Sequence, residues 1–148
     1  MSFRFRFKIL LEHREFLSKK AQTQAAAAQY RYAEAEERRD RVKAEIRRHC
    51  TAWEERQQRG MNVGEHLGFD EYLSSLEQQL LSMETDLVQA ARELQAAKDA
   101  LIEREIQLRV MESLKEKDRE LYQYLQIKKE QKVLDETATI ADYYRKKP

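Results

Sequence analysis

Apolar residues recur across residues 69–111 in alternating steps of four and three. They are Phe69, Leu73, Leu76, Leu80, Met83, Leu87, Ala90, Leu94, Ala97, Leu101, Leu108 and Met111, with Arg104 as the polar member of the row. A repeat of about 3.5 residues is the seam of a coiled coil. Because it falls short of the ~3.6 residues per turn of a straight helix, the row stays buried only by winding left-handed around a partner. A weaker row precedes it, through Leu10, Leu17, Ala21, Ala25, Ala28, Tyr32, Ala35, Val42, Ile46, His49 and Trp53. The small residues of its first half suit a close approach of two backbones opposite Leu101 and Leu108, leaving Val42, Ile46 and Trp53 to face Leu76 to Leu87. After Met111 the count breaks. Apolar positions resume at Leu114, Leu121 and Leu125, a skip that alters the local winding.

The helix breakers locate the turn. Gly60, Gly64 and Gly68 are the only glycines, and the one proline is Pro148. The pattern therefore predicts a single elongated domain, 1–148, with one helix over about 7–59, a connector over about 60–68 and a second helix over about 69–144. At ~1.5 Å per residue the arms are about 80 and about 115 Å long. One break between two long helices gives an all-α fold, an antiparallel two-helix coiled-coil hairpin with an overhanging C-terminal helix. Folding about residue 64 sets Leu101 near Tyr30 and Leu121 near Phe7, and the last twenty-odd residues overhang.

Composition narrows the alternatives. Charged residues make up 37% of the chain, yet the net charge is only +1. Balanced charge and periodic apolar residues argue against disorder. No run of about 18 apolar residues is present to span a membrane, and Ile9, Leu10 and Leu11 are too short a run for a signal peptide. The single Cys50 excludes an internal disulfide and fits a reducing cytoplasm. Charge is unevenly placed: residues 1–60 carry 15 Lys and Arg against 9 acids, residues 61–91 carry 6 acids and no Lys or Arg, and residues 92–148 carry 13 against 12. In a hairpin the turn is then acidic. The other end, with Arg4, Arg6, Lys8, Lys146 and Lys147, is basic, which suits docking between two unlike partners; the plainer reading is a set of solvated faces.

Catalytic and metal chemistry find no footing. His13, His49 and His66 are scattered, and adjacent His49 and Cys50 point about 100° apart on a helix, so they do not chelate one metal. The glycines lack the spacing and the Lys of a phosphate-binding loop, and pairs such as Glu36 and Glu37 have no pocket to shift their pKa. No enzyme, metal or cofactor is expected. The alternation Phe3-Arg4-Phe5-Arg6-Phe7-Lys8 has the character of a tract that touches membranes or nucleic acid. The near-neutral chain argues against nucleic acid, and leaves peripheral membrane contact at most. The plain alternative is a helix start packed on the second helix.

Phe3 to Leu11 with His13-Arg14-Glu15 resembles the opening of the flagellar FliJ family. Gly60-Met61-Asn62-Val63, Phe69-Asp70-Glu71-Tyr72-Leu73 and Leu76-Glu77 resemble its turn and second-helix start. Glu112 to Tyr124 and Glu130 to Glu136 with Ala138 resemble its C-terminal part. The resemblance implies a soluble stalk of the flagellar type III protein export apparatus, active in motility, that is a monomer in isolation. It implies paired termini inserted into the hexameric export ATPase, contacts with the export gate and with export chaperones, and a cytoplasmic location at the inner membrane. By the same resemblance the ATPase-binding residues are Phe5, Arg6, Phe7, Leu10, Leu11, Lys132, Leu134, Asp135 and Glu136. The gate-binding residues are Tyr72, Leu76, Gln79 and Met83, of which Gln79 and Met83 depart from the family's pattern. The stalk of a virulence-type secretion system, a self-associating coiled coil and a chaperone for export substrates are the alternatives.

Overall fold

The computed structural model describes residues 2–147. Two helices account for nearly all of them: α1, Lys8–Arg59, of 52 residues, and α2, Val63–Lys146, of 84. They pack antiparallel as a hairpin, and among the described residues there is no strand. Contacts group into two units, residues 2–18 with 103–147 and residues 19–102.

The turn is tighter than the glycine spacing predicts. Gly60 stops α1 with φ of 91°, a conformation that side-chain-bearing residues rarely adopt, and its N–H donates to the Gln57 carbonyl at 3.1 Å. Two residues later Asn62 caps α2. Its Oδ1 accepts the Glu65 N–H at 2.8 Å, and Glu65 reaches back to within 3.5 Å of Asn62 Nδ2. The connector is therefore residues 60–62 and not 60–68, and Gly64 and Gly68 lie inside α2. A helical glycine costs about 1 kcal/mol relative to alanine, which a cap of similar worth and the ring contacts beyond it offset.

Moving the turn forward changes the register. Trp53 meets His66 and Phe69, where the pattern predicts Leu76. Glu45 meets Tyr72, and Arg31 pairs with Glu93 at 3.8 Å, which sets Ala28 at the level of Leu94 and Ala97. In the other unit Leu108 packs on the cluster of Phe5, Leu11 and Met111, not on the alanines. Phe3 lies tilted against Tyr122, with ring centres 5.6 Å apart, and Leu121, expected beside Phe7, is exposed.

The long seam holds throughout: every position of the 69–111 row, Arg104 included, is buried or half-buried. Beyond Met111 its phase continues through Lys115, Asp118 and Tyr122, all half-buried; Leu121, off this phase, faces solvent, and so does Leu125, which is on it but lies past the covering segment. Leu114, where the pattern predicts apolar positions to resume, is half-buried against the core of Phe5, Leu11 and Met111, and the seam positions beside it turn polar. On α1 the buried or half-buried row is Leu11, Arg14, Ser18, Ala21, Ala25, Ala28, Tyr32, Ala35, Arg39, Val42, Ile46, His49 and Trp53. Leu10, expected in this row, is exposed, and Leu11 at 5% exposure takes its place.

Polar seam residues meet at one level. Arg14 Nη1 donates to Gln107 Oε1 at 2.6 Å, and Arg104 Nη1 approaches the same oxygen at 3.3 Å. Ser18 is buried nearby in sequence, and no buried side-chain N or O among the described residues lacks a hydrogen-bond partner. Such a layer fixes register at some expense of stability, because two cations share one neutral acceptor.

Three outcomes are expected of variants read by thermal unfolding. Leu76→Ala, at a site 3% exposed, is expected to lower stability by about 2–4 kcal/mol. Asn62→Ala is expected to lose about 1 kcal/mol, with Asn62→Ser close to wild type, because serine also caps. Arg104→Leu, by contrast, is expected to raise the melting temperature, since it extends the apolar seam and leaves the Arg14–Gln107 bond intact; a lower melting temperature would contradict this account of the polar layer.

Candidate interaction sites

Near the turn, five rings from both helices form one cluster. The His49 ring stacks on Phe69 with centres 5.0 Å apart and meets Tyr72 edge-on at 4.6 Å, while Trp53 stacks on Phe69 at 5.8 Å. His49 Nε2 donates to the Phe69 carbonyl at 2.7 Å, and Trp53 Nε1–H donates to His66 Nδ1 at 3.1 Å. That bond requires an unprotonated Nδ1, so it selects the Nε2–H tautomer of His66. Two histidines that look scattered in sequence thus share one site as packing and hydrogen-bonding rings. Among the described residues no group of three or more His, Cys, Asp or Glu is placed to hold a metal.

Tyr72 lies at the edge of this cluster, 45% exposed, and donates its hydroxyl to Glu45 Oε1 at 3.2 Å. Its phenol is pushed above the usual tyrosine range, first by loss of water against the neighbouring rings and then by the Glu45 carboxylate. Gln79, seven residues on, is exposed on the same flank of the seam. Leu76 is buried and Met83 half-buried in the seam itself. Of the four gate candidates, the structure presents Tyr72 and Gln79 outward together and turns Leu76 and Met83 toward α1.

The other candidate set divides in the same way. Phe5 and Leu11 form a core with Met111, against which Phe7 is partly buried, while Arg6 lies over the Phe7 ring at 4.7 Å and stays exposed with Leu10. Lys132, Leu134, Asp135 and Glu136 are all exposed on α2. They start ten residues past Tyr122, where Phe3 sits, so about 15 Å of unpaired helix separates the two groups. The structure does not bring them together.

From residue 127 to 147 every residue of α2 and its end is exposed, including Ile127, Val133, Leu134, Ile140, Tyr143 and Tyr144. A shallow groove of about 850 Å³ runs along this stretch past Lys128, Lys132, Asp135, Glu136 and Ile140. Sequence reasoning missed a different group, Lys115, Arg119 and Tyr122, which faces the N-terminal segment. Its signal is the seam phase, which runs on through Lys115, Asp118 and Tyr122 although the residues there are polar. No helix among the described residues is long and apolar enough to cross a membrane.

Comparison with known proteins accords with this geometry. A solved structure described as a YscO homolog, CT670 from Chlamydia trachomatis, superposes with a TM-score of 0.50 at 19% identity, covering 98% of each chain. At that identity the likeness is one of fold. No curated protein sequence matches the chain. The family described as Flagellar FliJ protein matches residues 3–147, essentially the whole chain. The chain belongs to the flagellar FliJ protein family.

Proposed function

We propose that this chain is a noncatalytic stalk and adaptor of the flagellar type III protein export apparatus. In this reading it binds the hexameric export ATPase and promotes its assembly and activity, and it links that ATPase to the cytoplasmic domain of the export gate and to export chaperones. It works in the cytoplasm at the face of the inner membrane. The observation that carries the reading is the bare C-terminal stretch of α2. A helix that exposes Ile127, Val133, Leu134 and Ile140 along some twenty residues, with no covering helix in its own chain, has the surface of one that docks elsewhere.

The ATPase contact is assigned to Lys132, Leu134, Asp135 and Glu136 with Arg6 and Leu10. Phe5, Phe7 and Leu11 support it from within by fixing the N-terminal segment on α2. The gate contact is assigned to Tyr72 and Gln79. Leu76 and Met83 reach a partner only where the seam opens near the turn.

Two measurements test this. Hydrolysis of ATP by a purified flagellar export ATPase is expected to rise on adding the full chain and to return to its basal rate with a variant lacking residues 130–148. No stimulation by the folded full chain would redirect the assignment to a chaperone or a scaffold. Tyr72→Ala is expected to weaken binding to the gate domain by more than about 2 kcal/mol, the usual loss for an aromatic anchor, with its circular dichroism unchanged. Wild-type affinity in that variant would remove Tyr72 from the site.

A further inference from the structure

Between the N-terminal segment, the first turn of α1 and α2 lies a cavity of about 490 Å³ lined by Phe3, Arg4, Phe5, Lys8, Lys115 and Arg119. Four of its six lining residues are cationic and none is acidic. Arg119 has a carboxylate within ion-pair distance, Glu116 at 3.9 Å. Arg4, Lys8 and Lys115 have none among the described residues. Helix α1 also begins here without an acid in its first turn, so the positive end of its dipole adds to the same field.

The cavity is held from below. Phe5 is buried in the core with Leu11 and Met111, and Phe3 is fixed between the Tyr122 ring at 5.6 Å and the Arg119 guanidinium at 5.9 Å. Lys115 is half-buried at a seam position. Aromatic packing therefore sets the backbone that carries Arg4 and Lys8 opposite Lys115 and Arg119. Like charges gathered this way repel one another, and a multiply charged anion removes the repulsion while accepting hydrogen bonds from several directions.

We propose that this cavity is a binding site for a phosphate group carrying two or more negative charges. Cations from three separate segments suit the tetrahedral spread of phosphate oxygens better than the two coplanar oxygens of a carboxylate. A long nucleic acid is a poor match, because the chain as a whole carries a net charge of only +1. The site uses neither the bare end of α2 nor the turn cluster, and it shares only Phe5 with the set assigned to the ATPase contact. Its phosphate comes either from a dissolved anion or from a lipid headgroup.

The test titrates the full chain with inorganic pyrophosphate at fixed ionic strength, followed by calorimetry and by NMR shifts. In parallel, the chain is sedimented with phosphatidylcholine vesicles, plain or containing phosphatidic acid. Arg4→Gln, Lys115→Gln and Arg119→Gln are compared with Lys128→Gln, which removes one charge from the bare part of α2. Arg4 lies in a non-helical segment, so its variant remains informative should Lys115→Gln unfold. Saturable pyrophosphate binding, weakened about tenfold or more by each cleft variant and unchanged in Lys128→Gln, is the expected result for a dissolved anion. Sedimentation with the phosphatidic acid vesicles alone, lost in the same variants, assigns the phosphate to a lipid. Absence of both, or equal weakening by Lys128→Gln, overturns the proposal.

Discussion

An apolar row of 3.5-residue period has no stable existence in water unless a second helix covers it, and in this chain the cover has to come from α1. Every other structural choice works within that requirement. The turn takes only three residues, and the small residues Ala21, Ala28 and Ala35 of α1 are buried in the seam. Where the segment before α1 ends, near Tyr122, cover ends too. The row on α2 then gives way to a helix that carries apolar residues without burying them. The same requirement accounts for the N-terminal segment, whose phenylalanines extend the cover of α2 beyond the first turn of α1.

How much of this was legible depends on how strongly each residue announces its place. The 69–111 seam is unambiguous because twelve of its members are apolar and only the phase fits them all. The α1 row is weaker because Arg14, Ser18 and Arg39 occupy seam positions, and hydropathy alone drew the assignment to Leu10 in place of Leu11. Past Met111 the leucines misled in the same manner. Leu121 looks like core but lies off the seam phase, which instead buries part of Lys115, Asp118 and Tyr122; Leu125 is in phase and is exposed because the covering segment ends near Tyr122. Phase is a property of the whole helix and hydropathy of one residue; at Leu10 and Leu121, where they disagree, phase prevails.

The turn was misplaced for a related reason. Three glycines in nine residues read as a loop, whereas one positive φ and one asparagine cap are enough to reverse the chain. That shift of a few residues propagated along both helices, so that Trp53 meets His66 and Phe69 and Arg31 meets Glu93. The candidate contacts were legible as individual residues but not as groups. Tyr72 and Gln79 emerge on one flank, while Leu76 belongs to the interior, and the N-terminal phenylalanines are fastened to α2 well before the bare stretch begins. Membership of the flagellar FliJ family gives these surfaces their context, and the burial pattern says which of them remain available.

The three-residue turn also dictates an order of assembly. Trp53 and His66 are 13 residues apart, His49 and Phe69 are 20, Glu45 and Tyr72 are 27, but Arg14 and Gln107 are 93. Short loops close at the smallest entropic cost, so pairing starts at the aromatic cluster and zips outward, each turn of helix shortening the loop for the next. During synthesis this sequence runs against the direction of the chain. Residues 2–18 are made well before residues 103–122 on which they pack; through that interval Phe3, Phe5 and Leu11 have no α2 to cover.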